Sequence, residues 1–344
     1  MLTIHQIQPT SDTWQRMDSF ADRMIWQTRE WMDFIAKTQN ASPVWGEVRD
    51  GTSVVGYFSG LIVTRWGVKV LGSPFPGWTT SYMGFNLAPE TPRWMALQAL
   101  ERFAFREVGC LHFEILDREL AVQDGEKLGL DFGWATTYET DLTQSEDEIF
   151  KAMTSACRRC IRKAEKSGLI IEEASDIEFA DEYYAQLLQV FGRQGLIPRY
   201  DRDRVAALIR HIHPTGRLLL LRARDPEGNC IATGIYPGMN TTVLFWGNAS
   251  TPSGLHLRPN EALHWFAMRY WKQKGVKVFN WGGGGSYKEK YGCTPLAVPW
   301  FRKSRFAVLQ TLRTEAERMI ELRRRAGAWV RQKTSPQPSP AEQA

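Results

Sequence analysis

Two stretches of this chain combine residue types that do chemistry. The first is Val278-Phe-Asn-Trp-Gly-Gly-Gly-Gly-Ser-Tyr-Lys-Glu-Lys-Tyr-Gly292, where a strand-like run enters four consecutive glycines and then an aromatic, basic segment. Glycines at such a place, Gly283 and Gly284 among them, let the backbone approach a bound group closely and expose its N–H donors. Lys288, flanked by Tyr287 and Tyr291, sets one ammonium beside that backbone. The stretch is not a P-loop, because no Gly-Lys-Ser/Thr follows at the required spacing. The second stretch is Ser155-Ala-Cys-Arg-Arg-Cys-Ile-Arg-Lys-Ala-Glu-Lys-Ser-Gly168. On a helix Arg158, Arg162 and Lys166 stack on one side, with Arg159 and Lys163 beside them and only Glu165 in compensation. An anionic partner would relieve that repulsion, and the arginine fork matches phosphate oxygens. On spacing alone a solvated basic face is an equal alternative.

Lesser features carry less. Cys157 and Cys160 form a C-x-x-C pair, but no second pair completes a zinc site, and five scattered cysteines make no disulfide framework. His211 and His213 have no acidic or cysteine partner nearby and read as a helix end, so no metal is expected. Gly72-Ser-Pro-Phe-Pro-Gly-Trp78, followed by Thr79, Thr80, Ser81 and Tyr82, is a rigid polar-aromatic loop that suits an acceptor groove or plain surface equally. Arg323, Arg324 and Arg325 read as a solvated helix end, with anionic lipid or RNA as the alternative.

The elements that must position these residues repeat. Val44–Arg49 and Ser53–Thr64 read as a hairpin around Asp50-Gly51, and Arg217–Arg224 and Cys230–Tyr236 as another around Asp225-Pro226-Glu227-Gly228. Downstream, Pro92–Val108 has helical periodicity, stops at Gly109 and leads into Leu111–Leu116; Pro259–Lys274 stops at Gly275 and leads into Val276–Trp281. Ile177–Gly192 and Asp201–His213 read as two further helices. At 344 residues the chain suits two domains of ordinary size, 1–140 and 141–305, then an amphipathic basic helix over 306–333 and a disordered tail over 334–344. Lys and Arg number 43 against 38 Asp and Glu, a mild excess that suits an anionic small molecule and does not by itself indicate nucleic acid. No signal peptide opens the chain and no apolar run reaches the roughly 18 residues that span a bilayer, so a cytoplasmic protein is expected.

The pair Arg158-Arg-Cys-Ile-Arg-Lys-Ala-Glu-Lys-Ser-Gly168 and Asn280-Trp-Gly-Gly-Gly-Gly-Ser-Tyr-Lys-Glu-Lys-Tyr-Gly292 resembles the FemAB-like branch of the acetyltransferase (GNAT) superfamily. Its members carry an "N-I-R-K-A-x-K-x-G" helix and a "D-F-G-G … F-K-x-x-F-G" segment in the same order. Cys160 stands where the family has Asn, Asn280 where it has Asp, and Tyr287 and Tyr291 where it has Phe. The resemblance implies an α/β (α+β) fold of two tandem GNAT-like domains, each a mixed sheet flanked by helices, with the C-terminal helix appended. It implies transfer of an acyl or aminoacyl group to an amine, as in making peptidoglycan bridges or surface polysaccharides.

Under that resemblance Lys288 stabilises negative charge on the donor or the tetrahedral intermediate, since acyl transfer to an amine builds an oxyanion. Tyr287 and Tyr291 flank it as further catalytic candidates. His256 and Glu261 lie in suitable segments, and no residue is singled out as the base. Substrate contacts are expected from Arg158, Arg159, Arg162 and Lys163, from Gly283 and Gly284, and from Arg258 and Asn260 at a helix start that Pro259 suits. The stretch Ser253–Asn260 stands where ordinary acetyltransferases bind the coenzyme A pyrophosphate, yet it lacks their glycine pattern. No tightly bound cofactor is expected; acyl-CoA, an acyl carrier and aminoacyl-tRNA stay open as donors. The expected acceptor is an anionic small molecule or a lipid-linked precursor, with tRNA and a peripheral membrane contact left open as partners. A conventional acetyl-CoA N-acetyltransferase and a non-catalytic RNA- or membrane-binding module are the alternatives.

Overall fold

The computed structural model describes residues 1–65 and 67–309. The expected helix over 306–333 lies, beyond residue 309, outside the described residues, as do Arg323, Arg324, Arg325 and the 334–344 tail. Residues Met1–Arg302 form one compact unit.

The first half runs β1 (Leu2–Ile7), α1 (Ser11–Asp18), α2 (Arg29–Gln39), β2 (Ser42–Asp50), β3 (Ser53–Arg65), β4 (Val68–Ser73), β5 (Gly84–Leu87), α3 (Arg93–Arg102), β6 (His112–Ile115) and α4 (Val122–Glu126). Strand β7 (Asp131–Asp141) leads into the second half: α5 (Glu146–Ala152), α6 (Ser155–Lys166), β8 (Ile170–Ala174), α7 (Phe179–Gly192), α8 (Arg202–Ile212), β9 (Leu218–Arg224), β10 (Cys230–Met239), β11 (Thr242–Leu244), β12 (Gly247–Ser250), α9 (Pro259–Gln273), β13 (Val278–Asn280) and β14 (Thr294–Ser304). Side-chain caps start the helices where the sequence offers them. Thr28 accepts from the Trp31 N–H, and Ser145 forms a reciprocal box with Glu148. The long helical pattern in the first half is broken into α3 and a π turn over Phe103–Glu107.

The internal repeat is present as topology. In the first half the β2–β3 hairpin is followed by β4, antiparallel to β3, and after α3 by β6, parallel to β4. In the second, β9–β10 is followed by β11, antiparallel to β10, and after α9 by β13, parallel to β11. In each half one long strand changes partner partway. Leu61–Arg65 of β3 pairs with β4 while Gly56–Ser59 pairs with β5; Gly238 and Met239 of β10 pair with β11 while Ala232–Ile235 pairs with β12. A strand that changes partner forces its neighbours apart, and the second half shows where. The Phe245 N–H donates to the Asn280 carbonyl, whereas the Trp246 N–H donates to Ile235. Two successive residues therefore bind opposite sides, and the sheet opens between them.

The fold is α/β with tandem halves, but the two sheets run together in one strand order, β1-β2-β3-β4-β6-β14-β7-β13-β11-β10-β9-β8. Strand β7 ends at Asp141, where the first half gives way to the second, yet it pairs with β13 on one side and β14 on the other. Helices α2, α7 and α8 contribute to one apolar core, joined by Tyr82 and Met83 of the loop before β5. That packing sets the first half's loop 74–83 beside the opened sheet of the second.

Candidate active site

A cleft of about 560 Å³ lies where the sheet opens. One wall is Gly77 and Thr79–Ser81 from the first half. The others are Phe191 and Arg204 of α7 and α8 with Arg199 and Tyr200 of the loop between them, Leu244–Trp246 at the end of β11, and Trp281–Gly283 with Tyr287 and Lys288 after β13. The polar-aromatic loop is therefore a cleft wall. Trp31 Nε1 donates to Thr80 (3.0 Å), and Arg204 donates to the Trp78 carbonyl (2.7 Å) and the Thr79 hydroxyl (3.1 Å). Thr79, though β-branched, is held at a φ of 56°. That left-handed conformation is costly for such a residue and persists where the surroundings fix it.

The glycine segment is ordered by two side chains. Gly282, Gly284 and Gly285 have φ of 67°, 77° and 77°, a backbone path that residues with a Cβ adopt at a cost. Lys288 is 4% exposed. Its ammonium donates to the carbonyls of Trp281 (2.5 Å), Gly282 (3.3 Å) and Gly283 (2.9 Å) and lies over the Phe245 ring. An ammonium has three N–H donors, and all three are used. Burial pulls the Lys288 pKa down to about 8. The loop carbonyls thus face inward, and among the described residues no protein acceptor is hydrogen-bonded to the N–H of Gly283 or Gly284.

Asn280, fully buried at the end of β13, sets the other side of the loop. Its side-chain oxygen accepts from the Gly282 N–H (2.7 Å) and the Thr137 hydroxyl (3.0 Å). Its amide nitrogen donates to Glu139 (3.1 Å) and to the Tyr82 hydroxyl (3.3 Å). Glu139 in turn takes a forked pair from Arg118, at 3.1 and 2.7 Å. Tyr82 is pushed up to about 12 by burial and the nearby Glu139 carboxylate. One polar chain therefore runs from the first half through Asn280 to the glycine backbone.

The other expected site residues are distributed differently. Tyr287 lines the cleft and is 55% exposed. Tyr291 is a core residue instead, stacked on Trp281 at 4.5 Å and edge-on to His264, so its ring supports the loop from beneath. Gly292 behind it is required by space: a Cβ there would meet the backbone of Ala152 at 2.8 Å. The basic helix α6 buries Cys157, Ile161 and Ala164 against α9, and Arg158, Arg159, Arg162 and Lys163 do not line the cleft. Arg158 caps α5 through the carbonyls of Lys151 (2.7 Å) and Met153, and Arg162 lies over Phe150. Two of the three stacked cations, Arg158 and Arg162, thus have structural partners within the protein, which is how the local repulsion is tolerated. Arg258, with a φ of 63°, stands exposed at the start of α9 outside the cleft. Asn260 is engaged by Asn248 (2.9 Å) and Ser250 (3.3 Å), tying α9 to β12. Lys290 and Glu261 form an ion pair at 2.8 Å, and His264, hydrogen-bonded to Tyr236, is driven down to about 3 by burial.

Sequence reasoning missed the basic rim. Arg204 is 7% exposed and, among the described residues, has no carboxylate in ion-pair contact, although Asp201 lies near in sequence as the α8 cap. Burial lowers its pKa to about 10. Arg204, Arg199 and Tyr200 also line a second hollow of about 630 Å³, together with Lys37, Arg210 and His211 and the carboxylates of Asp201 and Asp203. Nothing local in the sequence marks these cations, because α2 and α8 meet only in the folded chain. Among the described residues no three His, Cys, Asp or Glu side chains cluster to hold a metal, and no helix is long and apolar enough to cross a membrane. All five cysteines are free.

Residues 151–291 match the acetyltransferase (GNAT) domain family. No curated protein matches the chain. Among solved structures, FemX is similar over 90% of this chain and 99% of its own, at 15% identity and a TM-score of 0.75. The C-terminal domain of a protein described as a putative lysylphosphatidylglycerol synthetase from Agrobacterium fabrum is similar over 89% of this chain and 94% of its own, at 12% identity and a TM-score of 0.53. A tandem GNAT protein from the clavulanic acid biosynthesis pathway is similar over 88% and 98%, at 10% identity and a TM-score of 0.51.

Proposed function

We propose that this acyltransferase, a GNAT domain in a tandem GNAT fold, moves an activated acyl or aminoacyl group onto an amine of an anionic acceptor, a nucleotide-linked or lipid-linked envelope precursor. The observation that supports it is the cleft itself. The Gly283 N–H, hydrogen-bonded to no described protein acceptor, and the buried Arg204, with no carboxylate in ion-pair contact among the described residues, line the same cleft. A buried guanidinium with no carboxylate in direct contact is costly, and a bound phosphate would supply that contact.

The acceptor nitrogen attacks the donor carbonyl carbon, the carbonyl electrons move onto oxygen, and the N–H groups of Gly283 and Gly284 receive that oxyanion. Collapse expels the donor's thiol or ribose hydroxyl, which takes up the proton the amine gives away. Lys288 fixes the carbonyls of the glycine loop inward so that these N–H groups point out. Tyr287 forms the exposed aromatic edge. The missing glycine pattern before α9 supports aminoacyl-tRNA or a carrier-bound acyl group as donor over acetyl-CoA.

The full chain should release thiol or deacylated tRNA only when a phosphate-bearing amine acceptor is present, tested with acetyl-CoA, longer acyl-CoA and aminoacyl-tRNA in turn. Salt-sensitive binding with no turnover across that panel would replace the enzyme with a binding module. Within an active system, Arg204→Ala should raise the acceptor KM by about ten-fold or more, with kcat nearly unchanged, because a phosphate contact is made alike in ground and transition states. Arg204→Lys, which keeps the charge but loses the fork, should fall between. A KM that stays at the wild-type value in a folded Arg204→Ala protein would remove the anion from this part of the cleft.

A further inference from the structure

The connection between α7 and α8 sets exposed apolar side chains between basic ones. Residues 192–197 are all exposed, and the tip carries Leu196 at 44% and Ile197 at 85% exposure, followed by Pro198. No acidic residue occurs between Glu182 and Asp201, while Arg193 and Arg199 bracket the tip. Both ends of the loop, Phe191 on one side and Arg199 and Tyr200 on the other, line the cleft. Whatever the tip touches therefore determines what stands at the cleft mouth.

We propose that this loop docks the protein on a bilayer containing anionic lipid, with Leu196 and Ile197 entering the headgroup region and Arg193 and Arg199 meeting lipid phosphates. The inference rests on the proposed anionic acceptor and narrows it to a lipid-linked one, delivered to the cleft from the membrane plane. Two bulky apolar side chains on a short protruding turn offer no broad face to a folded partner. They match the boundary between headgroups and acyl chains, where apolar burial and basic charge act together. A nucleic acid would use the arginines and gain nothing from Ile197.

The test is sedimentation of the full chain with vesicles of phosphatidylcholine plus phosphatidylglycerol, and of phosphatidylcholine alone, without donor or acceptor. Binding to the mixed vesicles should be weakened about ten-fold by Ile197→Asp, from the loss of one buried aliphatic side chain, and by a similar factor by Arg193→Glu. Both positions are exposed and outside the cleft, so turnover of a soluble acceptor should stay at the wild-type level. Absence of wild-type binding, or binding that Ile197→Asp leaves unchanged, would overturn the docking loop. Neither of those results bears on whether the cleft transfers acyl groups, because the soluble-acceptor assay reports that separately.

Discussion

Lys288→Ala is expected to lower turnover by about 100- to 1,000-fold, the range seen when groups that organise an oxyanion site are removed, while the chain stays folded. The structure gives the reason. Three carbonyls converge on the Lys288 ammonium, and truncation leaves them facing one another around a void. Leaving such groups unpaired costs about 1–3 kcal/mol each where water cannot reach them, so the loop turns its carbonyls outward and the Gly283 and Gly284 N–H groups lose their direction. Lys288→Arg should not rescue, because a planar fork cannot meet three converging acceptors. The pH dependence has a definite sign. Burial holds the folded pKa near 8, below the unfolded value of about 10.4. Between those limits the unfolded chain binds more protons, so this group's contribution to stability grows as pH rises. Activity should nevertheless fall above about pH 8, where the clamp loses a donor. Steady-state rates and melting temperatures measured across that window check both statements. Activity that tracks stability upward would deny Lys288 any part in ordering the loop.

Asn280→Asp should be nearly as damaging, although it changes one atom. The Asn280 amide donates to Glu139 and Tyr82, and a carboxylate cannot. The introduced carboxylate would bring a second negative charge into a dry site beside Glu139, at a cost on the order of 3–5 kcal/mol for an uncompensated buried charge. Burial and the like charge would both raise its folded pKa. The stability penalty is then small below the unfolded carboxylate value and full once pH passes the folded one. The melting temperature of Asn280→Asp should therefore approach that of the wild type as pH falls, and turnover at neutral pH should drop about 100-fold through the misplaced Gly282. Adding Glu139→Gln supplies a donor and removes the clash, so the double variant should recover much of both. A double variant no better than Asn280→Asp alone would show that charge is not what the position reads.

The same geometry shows which signals the sequence carries. The hairpins, α3, α7, α8 and α9 were legible because hydrophobic period, Asp-Gly and Asp-Pro-Glu-Gly turns and terminal glycines are local. Tandem duplication was legible because both copies keep the same order. The glycine segment and Lys288 stood out by composition. What failed to show was direction. Helical spacing correctly stacks Arg158 and Arg162, but spacing cannot tell that the side bearing them caps α5 and packs on Phe150. Tyr287 and Tyr291 are four apart around one lysine, yet the 3-10 turn over Ser286–Tyr291 sends one to the cleft and the other into the core. Arg204 and Lys37 sit on separate helices in different halves, and no single-chain periodicity links them.

The position of β7 has a practical side. Glu139 and Thr137, which hold Asn280, are carried by that strand, as is the edge that both β13 and β14 require. A gene fragment beginning at codon 141 would encode the glycine loop without the strand that seats it, and its product would expose two raw sheet margins prone to self-association. Dissection of this protein has to cut upstream of Asp131, and a piece so cut still lacks the Arg118 and Tyr82 side chains that complete the seat. The smallest unit able to present the loop correctly therefore includes coding sequence from both copies of the duplication.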